Sequence, residues 1–179
     1  MGKHHHAVVL LGSNIDKERN IPAAVAMLRN MAHVLATSTV YETTAAGAIQ
    51  DQPSYFNAAL ILLTDLSPEQ LKDALLANIE QRLGRKRTSD KFAARTIDLD
   101  IALFGNLIID YVPADGRPHH IPDPDLLRYA HCAVPVAELL PDTPHPETGE
   151  LLRDIADRLL SGIDTGKAVF RPRPDIVID

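Results

Sequence analysis

The sequence has 179 residues, of which 45% are hydrophobic and 23% are charged, and these proportions favour a folded globular protein over a disordered chain. The formal net charge of −6 argues against a general nucleic-acid-binding protein, and no apolar run approaches the ~20 residues of a membrane-spanning helix. With a single cysteine, Cys132, and no secretory leader, we expect a cytoplasmic single domain, and we favour a monomer.

The first part of the chain shows strand and helix patterns in turn. The run His4-His5-His6 carries no predicted function, and residues 1–6 are expected to be a tag remnant or a frayed terminus. Residues 7–11 form a continuous apolar run, which predicts a buried strand that ends in a turn at Gly12-Ser13-Asn14. A packing helix and then a strand at residues 37–41 follow. The predicted apolar face of that helix consists of Ile21, Val25, Leu28, Ala32 and Leu35.

Residues 55–64 are apolar on both faces, as in a covered strand, except that Tyr55 and Asn57 share one face. A buried amide must find hydrogen-bonding partners. Asn57 is therefore either a core residue that bonds a neighbouring loop or part of a binding site. Ser67 and Gln70 then form a capping box, and an apolar stripe predicts a helix that stops at Gly84.

The most informative stretch is the strand pattern from residue 96 to residue 104. Asp98 and Asp100 are two residues apart, so their side chains point to the same face, with α-carbons about 7 Å apart. Unscreened, two such carboxylates repel each other, whereas Mg²⁺ commonly binds one or two carboxylates together with substrate phosphates. The alternative is that the pair is the solvated side of a half-exposed strand. The opposite, buried face is predicted to carry Ile97, Leu99, Ile101 and Leu103.

The segment that precedes this strand is strongly cationic, with a single acid, Asp90, among its basic residues. Basic side chains bind phosphate and acidic side chains hold metal, and phosphoryl transfer needs both. A solvated run of charges is the simpler explanation. The basic residues are Arg85, Lys86, Arg87, Lys91 and Arg95.

The order strand, helix, strand, strand, helix, strand predicts an α+β fold of the ferredoxin-like type, with helices on one face of a mainly antiparallel sheet. The acidic pair would then lie on the face away from those helices, where a ligand has room. Residues 163–179 form a C-terminal extension, in which Pro172 and Pro174 permit at most an edge strand.

Two stretches resemble one protein family. The stretch Lys91-x-Ala-Ala-Arg-x-x-Asp-Leu-Asp-Ile101 resembles the signature of the 6-hydroxymethyl-7,8-dihydropterin pyrophosphokinases of folate biosynthesis. Residues 50–59, Gln-Asp-Gln-Pro-Ser-Tyr-Phe-Asn-Ala-Ala, are similar to a second segment of that family. The resemblance runs from about Ala7 to about Leu160. It implies transfer of a pyrophosphoryl group from ATP to the hydroxymethyl oxygen of a reduced pterin, with release of AMP and with two Mg²⁺ ions as cofactors.

The resemblance also implies roles for individual residues. Asp98 and Asp100 would bind the two Mg²⁺ ions and would form the catalytic group together with Arg85 and Arg95. Glu80 would lie near the nucleotide, although a solvated glutamate on a helix face is an equally good interpretation. The implied ATP-binding residues are Glu80, Arg85, Arg87, Phe92, Arg95 and Ile101. The implied pterin-binding residues are Thr43, Gly47, Tyr55, Asn57 and His131, where Tyr55 stacks on the pterin and Asn57 reads its polar edge.

Three positions in one segment depart from the family pattern. Where the family has Ile-Pro-His-Pro, this chain has an acid, Asp123, in place of a phosphate-binding imidazole, and His119 and His120 are candidates to replace it. Tyr129 and His131 stand where the family has arginine and a pterin-stacking phenylalanine. Two alternatives therefore stay open: a pyrophosphokinase that acts on a different hydroxymethyl heterocycle, and a non-catalytic nucleotide-binding module.

Overall fold

The two apolar strands predicted at residues 7–11 and 55–64 pair with each other at the centre of an antiparallel sheet. The computed structural model describes residues 4–44, 52–88, 93–164 and 166–179. Within these residues the strands are β1 (His5–Ser13), β2 (His33–Thr37), β3 (Tyr41–Thr43), β4 (Tyr55–Thr64), β5 (Asp98–Phe104), β6 (Ile109–Tyr111), β7 (His119–Ile121) and β8 (Phe170–Pro172). The main sheet has the order β5-β1-β4-β3-β8, with β2 also paired to β4, and β6 and β7 form a separate hairpin.

Four helices accompany the sheet in the described residues. They are α1 (Lys17–Met31), α2, α3 (Ala130–Leu139) and α4 (Leu152–Ser161), and a short 3₁₀ turn, Pro124–Leu127, precedes α3. Helix α2 has three consecutive parts, Pro68–Gln70, Leu71–Leu76 and Ala77–Arg82, and the middle part has the wider turn of a π-helix. The predicted capping box at Ser67 and Gln70 is present at its start. None of these helices combines the length and the apolar character that crossing a membrane requires.

Helices cover both faces of the sheet. The apolar sides of α1 and α2 pack on the face that carries Val9, Leu11 and Leu60, as the ferredoxin-like pattern predicts. Helices α3 and α4 form a second apolar cluster on the opposite face, around Val8 and Ala59. The α+β, ferredoxin-like fold is thus confirmed, and the second helical layer is an addition that the order of elements did not predict.

An irregularity in β5 changes the predicted alternation of its side chains. Val8 of β1 pairs with Leu103 whereas Val9 pairs with Ile101, so Ala102 is an extra residue on β5, a β-bulge. Beyond the bulge the alternation of side chains between the two faces of β5 is reversed. Leu103 therefore joins the apolar cluster under α3 and α4, whereas Ile101 belongs to the cluster under α1 and α2. The prediction that Leu103 shares a face with Ile101 is therefore wrong, because one inserted residue shifts a two-residue period.

The first helix is shorter than its apolar pattern indicates. It ends at Met31, and the next residue, Ala32, already has an extended backbone. Leu35, predicted to lie on the helix, instead lies in β2 and is 45% exposed. Residues 33, 34, 36 and 37 pair with β4, with an irregularity at Leu35, and this pairing outweighs the helical periodicity of the segment. At the start of the chain, His5 and His6 are not frayed, because they pair with Thr64 and Leu63.

The C-terminal extension contributes the edge strand that its prolines permit. Strand β8 pairs with β3, and two of its neighbouring arginines reach the same buried carboxylate, that of Glu42. Arg171 Nη2 and Arg173 Nη1 donate to Glu42 Oε2 at 2.7 and 2.9 Å. Ser54 Oγ donates to Glu42 Oε1 at 2.6 Å, and Lys17 Nζ lies 3.3 Å from the same oxygen. The extension is thereby joined to β3, to the start of α1 and to the segment that leads into β4.

These contacts predict acid-sensitive stability. Burial acts to raise the pKa of Glu42, but the donors from Ser54, Arg171 and Arg173 outweigh it and lower the pKa to about 2 from an ordinary value of 4.5. The ionised form therefore contributes stability above about pH 4.5, at most about 3 kcal/mol, and this contribution is lost as the pH falls toward 2. Glu42→Gln should be less stable than the wild type at pH 7, and the difference should shrink at low pH.

Chemical denaturation at a series of pH values measures this difference, and Glu18→Gln, at an exposed position of α1, is the control. A Glu42→Gln deficit that stays constant between pH 7 and pH 2.5 would contradict the assignment.

Candidate active site

A row of paired residues crosses three strands at the end of β1. Gly12 pairs with Asn57 of β4 on one side and with Asp98 of β5 on the other. Side chains at paired positions lie on the same face, so Asn57 and Asp98 flank the glycine and the space between them stays open. A Cβ atom at Gly12 would lie 3.7 Å from Asn57 Oδ1, so a longer side chain would extend into this space.

This row is part of the floor of a cavity of about 520 Å³ between the sheet and the start of α3. The lining residues that the sequence predicted as functional are Thr43, Tyr55, Asn57, Arg95, Asp98, Asp100 and His131. The lining residues without a predicted role are Leu10, Leu11, Gly12, Thr44, Gln52, Asp123, Asp125, Arg128, Tyr129 and Cys132. The predicted phosphate-transfer and acceptor groups therefore meet in one cavity.

Each aspartate of the pair has its own cation. Arg95 Nη1 donates to Asp98 Oδ2 at 2.6 Å, and Arg85 Nη2 lies 3.8 Å from Asp98 Oδ1. Lys72 Nζ donates to Asp100 Oδ1 at 2.8 Å. The two carboxylates are thus compensated by protein side chains, which removes the expected repulsion as an argument for a metal. About a third of the Asp100 side chain, 33%, remains accessible.

The outer edge of β5 is completed by two side chains of α2. Glu80 Oε1 accepts a hydrogen bond from Leu99 N at 2.8 Å, and Lys72 donates to the Leu99 carbonyl. Glu80 Oε2 accepts from Arg87 Nη2 at 2.7 Å. Both Lys72 and Glu80 are 2% exposed, so Glu80 is not the solvated helix-face residue that was the alternative. Lys72 was not predicted at all.

Strand β1 extends two residues beyond its predicted end, to Ser13, and Ser13 together with Asn14 in the turn that follows holds the segment that carries Arg95. Asn14 Oδ1 accepts from Arg95 N at 2.7 Å, and Arg95 O accepts from Asn14 N at 3.1 Å. Ser13 Oγ donates to Thr96 O at 2.6 Å. The turn therefore fixes the backbone of residues 95 and 96 directly before the acidic strand, which is a more specific task than reversal of the chain.

The other end of the cavity is lined by neutral polar and aromatic groups. Asn57 Nδ2 donates to Thr43 Oγ1 at 2.9 Å, and both residues are buried. This bond leaves the amide oxygen of Asn57 on the side of Gly12. The Arg95 guanidinium lies 5.9 Å from the centre of the Tyr55 ring, within the range of a cation–π contact. Tyr55 and Arg95 thus connect the two ends of the cavity.

His131 and Tyr129 form an aromatic pair at the start of α3. Their ring centres are 5.2 Å apart and the rings are nearly parallel, with 23° between their planes. Burial lowers the pKa of His131 to about 4, so the imidazole is neutral at physiological pH. A neutral ring can stack on a flat heterocycle and still present a hydrogen-bonding nitrogen.

Asp123 is a third acidic residue in the cavity that Asp98 and Asp100 line. Burial, with a smaller contribution from the Asp100 charge, raises its pKa to about 7. Asp123 Oδ1 accepts from Asp125 N at 2.9 Å and so caps the 3₁₀ turn. Near neutral pH this carboxyl group is protonated in part of the molecules and can then donate a hydrogen bond. His119 and His120, the candidate replacements for the missing imidazole, do not line the described cavity: His119 stacks on Tyr111, and His120 bonds Asp110 and Glu147.

Several predicted residues lie beside the cavity or outside the described part of the chain. Arg87 joins Glu80 to Asp115, whose nearest oxygen is 3.4 Å from Arg87 Nη1. The Ile101 side chain is 3% exposed in the core under α1 and α2, so it does not line the cavity. Gly47 and Phe92 lie outside the described residues. Across the described ranges, no group of three or more His, Cys, Asp or Glu side chains is arranged to hold a metal ion.

Comparison with known proteins identifies relatives across most of the chain. Residues 8–141 match the model of the 7,8-dihydro-6-hydroxymethylpterin-pyrophosphokinase family. A 2-amino-4-hydroxy-6-hydroxymethyldihydropteridine pyrophosphokinase of Synechocystis is 34% identical over 158 residues, which are 87% of this chain and 76% of the relative. The protein of the same name from Haemophilus influenzae is 34% identical over 157 residues, which are 84% of this chain and 93% of the relative.

Solved structures show the same fold. A Plasmodium falciparum HPPK-DHPS triple mutant matches with a TM-score of 0.73 at 12% sequence identity, over 92% of this chain and 46% of that protein. The chain therefore spans about half the length of this structural relative, and at such low identity the likeness concerns the fold alone.

The third acid generates a prediction about stability. Because the pKa of Asp123 is raised in the folded protein, its proton is bound more tightly there than in the unfolded chain. Stability from this group is then fully present below about pH 4 and is lost as the pH rises to about 7. Asp123→Asn keeps the capping oxygen and removes the charge, so it should be more stable than the wild type at pH 8, by at most about 4 kcal/mol.

Urea denaturation at pH 4, 6 and 8 measures the effect, with Asp157→Asn on the exposed side of α4 as the control. An advantage of Asp123→Asn that does not grow with pH would show that Asp123 is ionised in the folded protein throughout.

Proposed function

The chain belongs to the 7,8-dihydro-6-hydroxymethylpterin-pyrophosphokinase family, and we propose that it transfers the pyrophosphoryl group of ATP to the hydroxymethyl oxygen of 6-hydroxymethyl-7,8-dihydropterin, with AMP as the second product. The observation that carries this proposal is the shared cavity, in which Asp98, Asp100 and Arg95 lie beside Tyr55 and Asn57. This arrangement supports a phosphate end and a heterocycle end within one cavity.

The cations around the acidic strand supply the phosphate end. Transfer of a phosphoryl group depends mainly on positioning and on stabilisation of the charge that the phosphate oxygens carry. Arg95 lines the cavity, and Arg85 lies next to Asp98. We assign Arg95 to phosphate binding during transfer, with Arg85 in support. The Gly-Ser-Asn turn limits the backbone freedom of Arg95 and so reduces the entropy that ordering this residue costs.

The donor set fits magnesium. Hard Mg²⁺ takes oxygen ligands and commonly combines one or two carboxylates with substrate phosphates, and Asp98 and Asp100 offer two carboxylates on the same face of β5. Asp98 and Asp100 would hold the ions. When bound, Mg²⁺ would neutralise triphosphate charge and polarise the phosphorus that is attacked. Asp98 Oδ2 bonds Arg95 at 2.6 Å, so Arg95 and a cation compete for this oxygen.

The neutral end of the cavity supplies acceptor recognition. We assign Tyr55 and the His131–Tyr129 pair to stacking on the pterin, because flat rings bury well against aromatic faces. Asn57 and Thr43 read the polar edge of the ring. Because Asn57 Nδ2 is already bonded to Thr43, the amide oxygen is the atom of Asn57 that the acceptor would meet. The proposal includes a cytoplasmic location, which the single, unpaired Cys132 supports.

The proposed activity predicts AMP release that depends on the pterin. Purified protein with ATP, Mg²⁺ and 6-hydroxymethyl-7,8-dihydropterin should form AMP well above a blank without pterin. Asp98→Asn and Asp100→Asn should each lower turnover at saturating ATP by at least ~100-fold, because each replaces a carboxylate that would hold Mg²⁺ beside the triphosphate with a neutral, weaker ligand. Chromatography of the nucleotides gives the rates, and Asp157→Asn is the control.

Two results would contradict the assignment in different ways. Absence of pterin-dependent AMP in the wild type would favour a different hydroxymethyl heterocycle or a nucleotide-binding module without catalysis. Near-normal turnover in both aspartate variants would leave the activity but remove the acidic pair from its centre.

The acceptor end predicts a separate kinetic effect. Asn57→Leu removes the amide that faces Gly12, so the polar edge of the pterin would be left without its partner. We expect the KM for the pterin to rise at least ~10-fold while the KM for ATP changes little. Steady-state kinetics with each substrate varied in turn measure the two KM values. Asn78→Ala, on α2 and outside the cavity lining, is the control. Equal effects on both KM values would argue that Asn57 supports the fold rather than the acceptor.

A further inference from the structure

Lys72 is an unusual residue for its surroundings. It lies in the π-helical part of α2 and is 2% exposed, with the core residues Leu71 and Leu75 close by in sequence. Lysine is almost never fully buried unless it is paired. Its ammonium group bonds Asp100 Oδ1 at 2.8 Å and the Leu99 carbonyl, and it lies 3.7 Å from Glu80 Oε1. Every partner thus belongs either to the acidic strand or to the glutamate that bonds that strand.

We infer that Lys72 is a positioning residue of the proposed active site: it is a permanent internal counter-ion that ties one oxygen of Asp100 and fixes how that carboxylate faces the cavity. This inference rests on the proposed function, because a role in positioning has meaning only if Asp100 takes part in the reaction. Lys72 does not line the described cavity, so it acts through Asp100 and not on a substrate.

The π-helical turn is what places Lys72 there. Lys72 and Glu80 are eight residues apart, and at about 100° per residue an ideal α-helix would offset them by about 80°. A π-bulge accommodates one additional residue within the turn. With that residue taken up by the bulge, Lys72 and Glu80 are oriented like residues seven apart in an ideal α-helix, so their side chains point within about 20° of the same direction. Both side chains reach the edge of β5. The Ala77 N–H bonds the Lys72 carbonyl, which is the i→i+5 bond of this wider turn.

Lys72 and Glu80 together replace a missing strand at the residue between the two aspartates. Glu80 takes the N–H of Leu99, and Lys72 takes its carbonyl. These are the two backbone groups that a neighbouring strand would otherwise bond. Because Leu99 separates Asp98 from Asp100, holding its peptide groups from outside sets the direction of both carboxylates.

The two aspartates differ in the kind of cation they have. Arg95, the partner of Asp98, lines the cavity with a side chain that is 19% exposed, so it can also reach a phosphate. Lys72, the partner of Asp100, has a side chain that is only 2% exposed and that does not line the cavity. One carboxylate therefore has a cation within reach of substrate, and the other keeps its cation throughout the reaction.

A double-mutant cycle between Lys72 and Asp100 tests the inference. Lys72→Met keeps the apolar stem but leaves the partly accessible Asp100 and the buried Glu80 without this cation, so it should melt at a clearly lower temperature than the wild type and lose at least ~10-fold in turnover. Added Mg²⁺ should restore part of the lost melting temperature, since a second cation can compensate the same carboxylate. Leu76→Ala, in the same turn but directed to the core, should also melt earlier, yet respond to Mg²⁺ as the wild type does.

The double variant Lys72→Met with Asp100→Asn keeps the test decisive if the single variant does not fold. With the charge of Asp100 removed, loss of the lysine should lower the melting temperature less than it does in the wild type, because only its contacts with the Leu99 carbonyl and Glu80 are then lost, and it should cost little further turnover. Lys72→Arg should recover the Mg²⁺ response of the wild type but not its full turnover, because the charge returns at a different position.

The inference is overturned if Lys72→Met keeps wild-type turnover, or if it lowers the stability of the Asp100→Asn variant as much as it lowers that of the wild type. The melting experiments need no turnover, so they separate this inference from the proposed function. A wild type that forms no pterin-dependent AMP refutes the activity and with it the positioning role, whereas an active wild type without coupling between the two residues refutes only the role of Lys72.

Discussion

The outer edge of β5 must satisfy its backbone groups without a neighbouring strand, and the way in which it does so organises the site. Helix α2 supplies Glu80 and Lys72 to the two backbone groups of Leu99. A buried lysine is tolerated only with anions beside it, and Asp100 and Glu80 are those anions. The same three groups therefore close the sheet edge, compensate one another's charge and hold an acidic carboxylate at the wall of the cavity.

The rest of the cavity is assembled from parts that are distant in sequence. Asn14, directly after β1, clamps the backbone at Arg95, Gly12 within β1 keeps the floor open, and the start of α3 supplies an aromatic wall. Strands thus carry the acids, the amide and Tyr55, while segments outside the sheet carry Arg95 and the His131–Tyr129 pair. Such an arrangement suits a transfer between two substrates, because side chains on strands and on a clamped segment hold the groups of the site in a fixed geometry.

Sequence patterns predicted the sheet, its central strands and the acidic pair, because a two-residue alternation is a local property and Asp98 and Asp100 precede the bulge. They failed where distant packing decides the outcome. The bulge at Ala102 moved Leu103 to the other face, and pairing with β4 ended α1 before Leu35. Lys72 could not be found, because a regular α-helix with its apolar stripe at Leu71 and Leu75 gives no reason to direct position 72 toward β5. The cluster at Glu42 depends on Arg171 and Arg173, which follow Glu42 in the sequence by 129 and 131 residues.

That last contact has a consequence for the order in which the chain folds. Strand β3 has β4 on one side from a nearby segment, but its other side waits for β8, which lies far along the chain. Closing so long a loop is entropically slow compared with forming the hairpins and helices between them. Before β8 pairs, the chain would therefore present the bare edge of β3 together with a Glu42 that has Lys17 and Ser54 but lacks its two arginines. An open strand edge invites pairing between chains, and the buried charge at its centre would oppose self-association until the two arginines arrive.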